Sequence, residues 1–172
     1  MDKTDILLLY DYNYWANQRV LQAAGRVTIE QFLAPARLSQ GSLRGALVHA
    51  YGAERIWRQR IQGASPSSLA AESEFPSLQP LLESWALEEI EMRACLTGLA
   101  ETDLPRVITY QTTKGRTFQN VLWQLLVHVV NHGTHTRGEA GLLLEDYGQS
   151  PGDLDLILYL RERAVNAPPS PA

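Results

Sequence analysis

Residues 117–148 read TFQNVLWQLLVHVVNHGTHTRGEAGLLLEDYG, and this stretch decides the class of the fold. Its apolar residues recur at roughly the period of an α-helix. The sequence predicts one long helix that is capped by Thr117, continues to about Tyr147 and ends at Gly148. Two internal glycines, Gly133 and Gly138, predict a bend or a close approach of another helix.

Three further segments show the same helical periodicity between start and stop signals. The first extends from about Thr4 to Ala24, the second from the N-cap Ser42 to Gly63, and the third from Ser77 to about Leu99. Four long amphipathic helices that are joined by connectors predict an all-α domain, a four-helix bundle.

Shorter elements are expected between and after these helices. Residues 28–31 have the form of a capping box, and residues 64–76 form a connector with room for a short helix. Residues 107–118 are rich in β-formers around a Lys-Gly turn, so they predict a small hairpin or extended crossover segment. A short C-terminal helix is expected at about residues 153–165.

Length and composition predict a single soluble domain. The 172 residues predict one domain over 1–165, followed by a disordered Pro-rich tail at 166–172. The net charge is -4 and no basic stripe is present, which argues against a nucleic-acid partner. No apolar run reaches the ~20 residues needed to cross a bilayer, so no membrane partner is expected. Cys95 is the single cysteine and excludes an internal disulfide, and a cytoplasmic location is predicted.

The histidines are concentrated in the longest helix. Three of the four lie within eight residues: His128, His132 and His135. At about 100° per residue, all three and Glu139 share one stripe, within about 60° of one another. Val121 and Leu125 lie close to that stripe, so it is expected to face the interior of the bundle.

The spacing of His128 and His132 allows two imidazoles to reach one metal ion from one helix. A further ligand would come from another helix, and His49 is the remaining histidine. It lies midway along the second long helix beside small residues, which leave room for an ion. The alternative interpretation of these histidines is a hydrogen-bonded polar network without metal. We expect His49 and His132 to face each other across the centre of the bundle.

Several motifs together resemble the DinB family of the DinB/YfiT-like superfamily. The similarity covers nearly the whole chain and includes YNYWAN at 12–17, the segment from Ser42 to His49, GAERIW at 52–57, HVVNHGTHTRGE at 128–139, Gly148 and DLD at 153–155.

The resemblance implies a four-helix bundle that holds a divalent metal, Zn²⁺ or Ni²⁺, through three histidines. Two of these ligands correspond to His49 and His132. The third corresponds to position 136, where this chain has Thr136. A neutral hydroxyl is a poor ligand for these metals.

This departure leaves three possibilities for the third ligand. His128 would replace it with the same i, i+4 spacing, His135 or Glu139 would turn in, or the site is degenerate. We predict a metal site of His49, His128 and His132, with Thr136 lining its open side.

The resemblance further implies a metal-dependent enzyme of the thiol transferase or hydrolase type, acting on a small-molecule substrate such as a low-molecular-weight thiol, and a homodimer. The alternative is a non-catalytic stress-response helical bundle with a degenerate metal site. DNA binding is suggested by the DNA-damage-inducible origin of the family name, and the net charge of -4 argues against it.

Two charged residues near these motifs have structural interpretations. Glu54 lies off the face of His49 and is expected to pair with an arginine. Arg137 is expected to hold a buried carboxylate or to contact an acidic group of the substrate, with the structural role favoured.

Overall fold

A computed structural model describes residues 1–166, which form six helices and one two-stranded antiparallel sheet. The elements are α1 (Lys3–Ala24), α2 (Ile29–Leu33), α3 (Leu43–Ile61), α4 (Leu78–Gly98), β1 (Val107–Gln111), β2 (Thr117–Val121), α5 (Leu122–Asp146) and α6 (Leu156–Asn166). Short 3-10 turns lie at Glu72–Glu74 and Glu101–Asp103. The described residues are mostly helical, which agrees with the expected all-α class.

The helix starts follow from side chains that cap the backbone. Ser42 is the N-cap of α3, as predicted, because its hydroxyl accepts a hydrogen bond from the Gly45 N–H at 2.8 Å. The capping box predicted at residues 28–31 is also present: Thr28 and Gln31 bond each other's backbone N–H groups and start α2.

The predicted start of the long helix at Thr117 is wrong. Thr117 begins β2, which pairs with β1 in the register Val107↔Val121 to Gln111↔Thr117. The helix begins at Leu122 without a side-chain cap. Its first amides, those of Leu122 and Trp123, instead donate to the carbonyls of Arg106 and Leu104 at 2.8 and 3.1 Å. The segment before β1 thus replaces the cap, which no local motif could indicate.

The predicted tail at 166–172 falls mainly outside the described residues. Asn166 is the last residue of α6, which is a correction at that position, and residues 167–172 are not described. Within residues 1–166, no helix combines the length and apolarity that crossing a membrane requires.

Helix α5 packs mainly on α1 and α3, and α3 also packs on α4. The core consists of two apolar clusters. One includes Tyr10, Met92 and Leu126, and the other includes Leu43 and Leu144. Along α1 and α5, buried polar side chains occupy the level between these two clusters. This polar level lies beside the histidines.

Candidate metal centre

His49 and His132 meet where α3 packs against α5. Their Nε2 atoms are 3.1 Å apart and their ring centroids 4.9 Å apart, and both residues are half-buried. The expectation that these two histidines face each other is therefore confirmed.

Both imidazoles are biased towards the neutral form. Burial, together with the nearby histidines, lowers the pKa of His132 to about 4. Burial also lowers the pKa of His49, although the carboxylate of Glu139 opposes this shift. A neutral imidazole has one ring nitrogen with a free lone pair, which is the form that binds metal.

The separation of the two Nε2 atoms fits two neighbouring corners of a metal site. Zn²⁺–N bonds of about 2.0–2.1 Å place two such ligands roughly 3 Å apart. Within residues 1–166, however, no three His, Cys, Asp or Glu side chains are close enough together to hold an ion. The side chains as placed therefore supply two converging ligands and not three.

His128 does not converge on this pair. Its ring packs edge-on against Trp57, with centroids 5.0 Å apart and planes at 75°, and lies 6.0 Å from the His132 ring. His128 is exposed, so the expectation that the stripe faces the interior is wrong there. Residues such as Leu126, Val129 and Ala140 form the buried face of α5, and the histidines lie at its edge.

His135 and Glu139 also stay outside the pair. The side chain of His135 is 75% exposed, and its Nε2 lies 3.6 Å from Glu139 Oε1. The other carboxylate oxygen of Glu139 accepts hydrogen bonds from the Ser39 hydroxyl at 2.6 Å and the Ser39 N–H at 3.3 Å. Glu139 is thus held by the segment before α3.

Thr136 was predicted to line the open side of the pair, but it does not. It is 3% exposed, and its hydroxyl donates to the backbone carbonyl of His132 at 3.0 Å. The position at which the resemblance implies a ligand is therefore occupied by a buried group bonded to its own helix.

Glu54 does not pair with an arginine. It is 4% exposed, and its carboxylate accepts hydrogen bonds from the Tyr14 hydroxyl at 2.6 Å and the Trp85 indole N–H at 3.4 Å. Burial raises the pKa of Glu54 to about 7, whereas these hydrogen bonds and the charge of Arg137 oppose the shift. Both of these donors are neutral, and Arg137 donates its hydrogen bonds to other side chains.

Arg137 has the structural role favoured by the sequence, but with different partners. It is 2% exposed, and its Nη1 donates to the side-chain oxygens of Asn13 and Asn17, at 2.5 and 2.8 Å. Its Nη2 donates to the Thr134 hydroxyl at 3.1 Å. No carboxylate is bonded to Arg137 within residues 1–166. These partners of Arg137 were not predicted from the sequence. The signal was the i, i+4 spacing of Asn13 and Asn17 among the apolar residues of α1.

A small cavity separates His132 from Glu54. It has a volume of about 10 Å³, and its polar walls are Asn13, Asn17, Glu54 and His132. A larger cavity of about 650 Å³ lies between α1 and α4, on the other side of Tyr14 and Trp85, and no histidine lines it. The histidine pair is therefore the candidate site because of its metal-binding side chains, although the larger cavity lies elsewhere.

The sequence matches the profile of the DinB family over residues 1–167, which is nearly its full length. The chain belongs to the DinB family. It is similar to Protein DinB of Bacillus subtilis (strain 168), with 28% identity over 159 residues that cover 88% of this chain and 91% of that protein. The family resemblance of the sequence motifs is confirmed.

Proposed function

We propose that this DinB family member is a metal-dependent enzyme that holds Zn²⁺ or Ni²⁺ within a four-helix bundle of α1, α3, α4 and α5. The observation that carries the proposal is the 3.1 Å separation of His49 Nε2 and His132 Nε2. This separation suits two ligands of one ion, and the lowered pKa values of both imidazoles favour the lone pairs that an ion needs.

We propose His128 as the third ligand. It lies one turn before His132 on the same edge of α5, and i, i+4 side chains are neighbours on a helix. Because His128 is exposed, a change of rotamer away from Trp57 requires no repacking of the core. We propose that rotation of the His128 side chain brings its imidazole to the pair.

A divalent ion on these ligands would supply a Lewis acid with an open position, which suits activation of water or binding of a thiolate. The exposed position of His128 and the half-exposed pair favour access for a small-molecule substrate. Low-molecular-weight thiols are the substrates we propose, in a transferase or a hydrolase reaction.

Metal titration of tag-free protein tests this proposal. We expect wild type to bind one Zn²⁺ or Ni²⁺ per chain by calorimetry and elemental analysis, and His128→Ala to weaken binding at least about tenfold. His135→Ala is the matched control, since it removes an exposed histidine of the same helix. Equal affinity of His128→Ala and wild type would refute the assignment of His128.

The second candidate function is a non-catalytic helical domain with a degenerate metal site. The buried Thr136 hydroxyl, bonded to its own backbone, favours it. Thr136→His restores the residue that the resemblance implies. A large gain in metal affinity over wild type would support the degenerate site, and equally tight binding by both proteins would support the enzyme.

We also propose a homodimer. Leu87 and Ile90 are exposed on α4 and offer an apolar surface for a second copy. Light scattering should give about twice the 19.2 kDa chain mass. Replacing Leu87 by Lys should shift the protein to the monomer, and a monomeric wild type at micromolar concentration would refute the dimer.

A further inference from the structure

We infer that Glu54 is a positioning residue for His132: its carboxylate, through one water molecule in the cavity between them, accepts the hydrogen bond of His132 Nδ1–H. This interaction determines which histidine of the pair donates its Nε2 proton. His132 Nε2 is then the acceptor, and His49 Nε2–H is the donor.

Glu54 is a buried carboxylate whose two side-chain donors are both neutral. A carboxylate offers about four acceptor sites. The Tyr14 hydroxyl and the Trp85 indole N–H are neutral donors, and each occupies one site on a different oxygen. Since Glu54 is almost fully buried, its remaining lone pairs need partners inside the protein. Glu54 and His132 both line the small cavity described above.

The cavity between Glu54 and His132 is small and polar. Its volume of about 10 Å³ corresponds to about one water molecule. A buried water needs two to four polar partners, and the walls offer Asn13, Asn17, Glu54 and His132. The cavity therefore has both the size and the polarity for a single bridging water.

The contact between His49 and His132 restricts which ring nitrogens carry protons. Each neutral imidazole carries one N–H, so the 3.1 Å contact between the two Nε2 atoms needs one donor and one acceptor. A water that donates to the carboxylate has oxygen lone pairs available, and we infer that one of them accepts from His132 Nδ1–H. His132 then carries its proton on Nδ1, and its Nε2 lone pair points towards His49.

This inference extends the proposed function, because fixing the tautomer presents the Nε2 lone pair of His132 to a metal ion. Partners of this kind behind a metal-bound histidine commonly change metal affinity by about tenfold or more. The tautomer can nevertheless be measured without metal, so the inference and the proposed function can fail separately.

Long-range ¹H–¹⁵N NMR of histidine-labelled, metal-free protein at pH 8.5 tests the inference. In wild type we expect His132 as the Nδ1–H tautomer and His49 as the Nε2–H tautomer. Glu54→Gln should shift the major form of His132 to Nε2–H. The control Glu88→Gln changes another buried carboxylate, one bonded to Arg58 away from the cavity, and should leave the His132 signal unchanged.

A second variant keeps the test informative if Glu54→Gln does not fold. Ala53 lines the same cavity, so Ala53→Val should displace the water while keeping the carboxylate, and should produce the same shift in His132. An Nε2–H tautomer of His132 in wild type, or an unchanged Nδ1–H tautomer in the folded variants, would overturn the inference. Metal titrations of the same proteins are scored separately: failure of wild type to bind metal refutes the proposed function and leaves the tautomer result intact.

Discussion

Two polar regions lie side by side in this protein and differ in burial. The histidine edge comprises His49, His128 and His132. The polar core comprises Asn13, Asn17, Glu54 and Arg137. All four polar-core residues are buried, whereas the histidines are half-buried or exposed. In the polar core, side chains are fixed by hydrogen bonds to other side chains. At the histidine edge, one ring contact joins α3 to α5, and the exposed His128 packs against Trp57.

Two groups of polar side chains of similar chemistry thus have different roles, because one group is buried and the other is partly exposed. A buried polar group without a partner is costly, so the side chains of the polar core depend on their hydrogen bonds to one another. A half-exposed imidazole can exchange a protein partner for water or an ion at little cost. Changes in the polar core should therefore affect folding most, and changes at the histidine edge should affect metal binding most.

The largest expected effect on stability comes from Arg137→Met. Removing the guanidinium leaves the oxygens of Asn13 and Asn17 without their donor and removes the positive charge that opposes the raised pKa of Glu54. We expect the free energy of unfolding to fall by about 4 kcal/mol. Urea denaturation measures this change, with the exposed Arg26→Met as control. A loss below about 1 kcal/mol would contradict the structural role of Arg137.

The next effect is the pH dependence caused by Glu54. Its pKa in the folded protein, about 7, lies above the ordinary value of 4.5, so the folded state binds the proton more tightly. The resulting stability is complete below pH 4.5 and is lost as the pH rises through 7, up to about 3 kcal/mol. Urea denaturation from pH 4 to pH 8 should show this fall in wild type relative to Glu54→Gln. Parallel curves for the two proteins would contradict it.

Two glycines of α5 provide a smaller, matched test. A Cβ at Gly133 would lie 2.7 Å from Asn13 Oδ1 and 2.8 Å from Arg137 Nη1, whereas a Cβ at Gly138 meets nothing within 4 Å. We expect Gly133→Ala to lose about 2 kcal/mol through crowding. Gly138→Ala should gain up to about 1 kcal/mol from helix propensity. Thermal denaturation compares the pair, and equal melting temperatures would show that α5 does not need Gly133.

The smallest effect on stability is expected at the histidine edge. His49→Gln removes one neutral contact between half-buried rings, so the free energy of unfolding should change by about 1 kcal/mol or less. The same variant should abolish the metal binding that we propose. Urea denaturation and metal titration of one preparation measure both, with His135→Gln as control. A stability loss as large as that of Arg137→Met would show that His49 stabilises the fold as strongly as the polar core does.

Much of the fold and part of the site were predictable from local chemistry. Helix periodicity and the N-cap Ser42 located α3, because a cap acts within one turn of the residues it satisfies. The i, i+4 histidines and the remaining His49 indicated the site, and the structure brings His49 and His132 together. The helix periodicity, the cap and the i, i+4 spacing each lie within one helix, so the local sequence is sufficient to indicate them.

Tertiary structure alone decided the rest. Helical periodicity gives the angle between two side chains but not which part of the helix meets its neighbours, so the exposure of His128 and the burial of Thr136 could not be derived. Likewise, Leu104 and Arg106 cap α5, and Tyr14 and Trp85 bond Glu54, because chain segments distant in sequence come together. Contacts between distant segments depend on how the helices pack, and no local pattern specifies that packing.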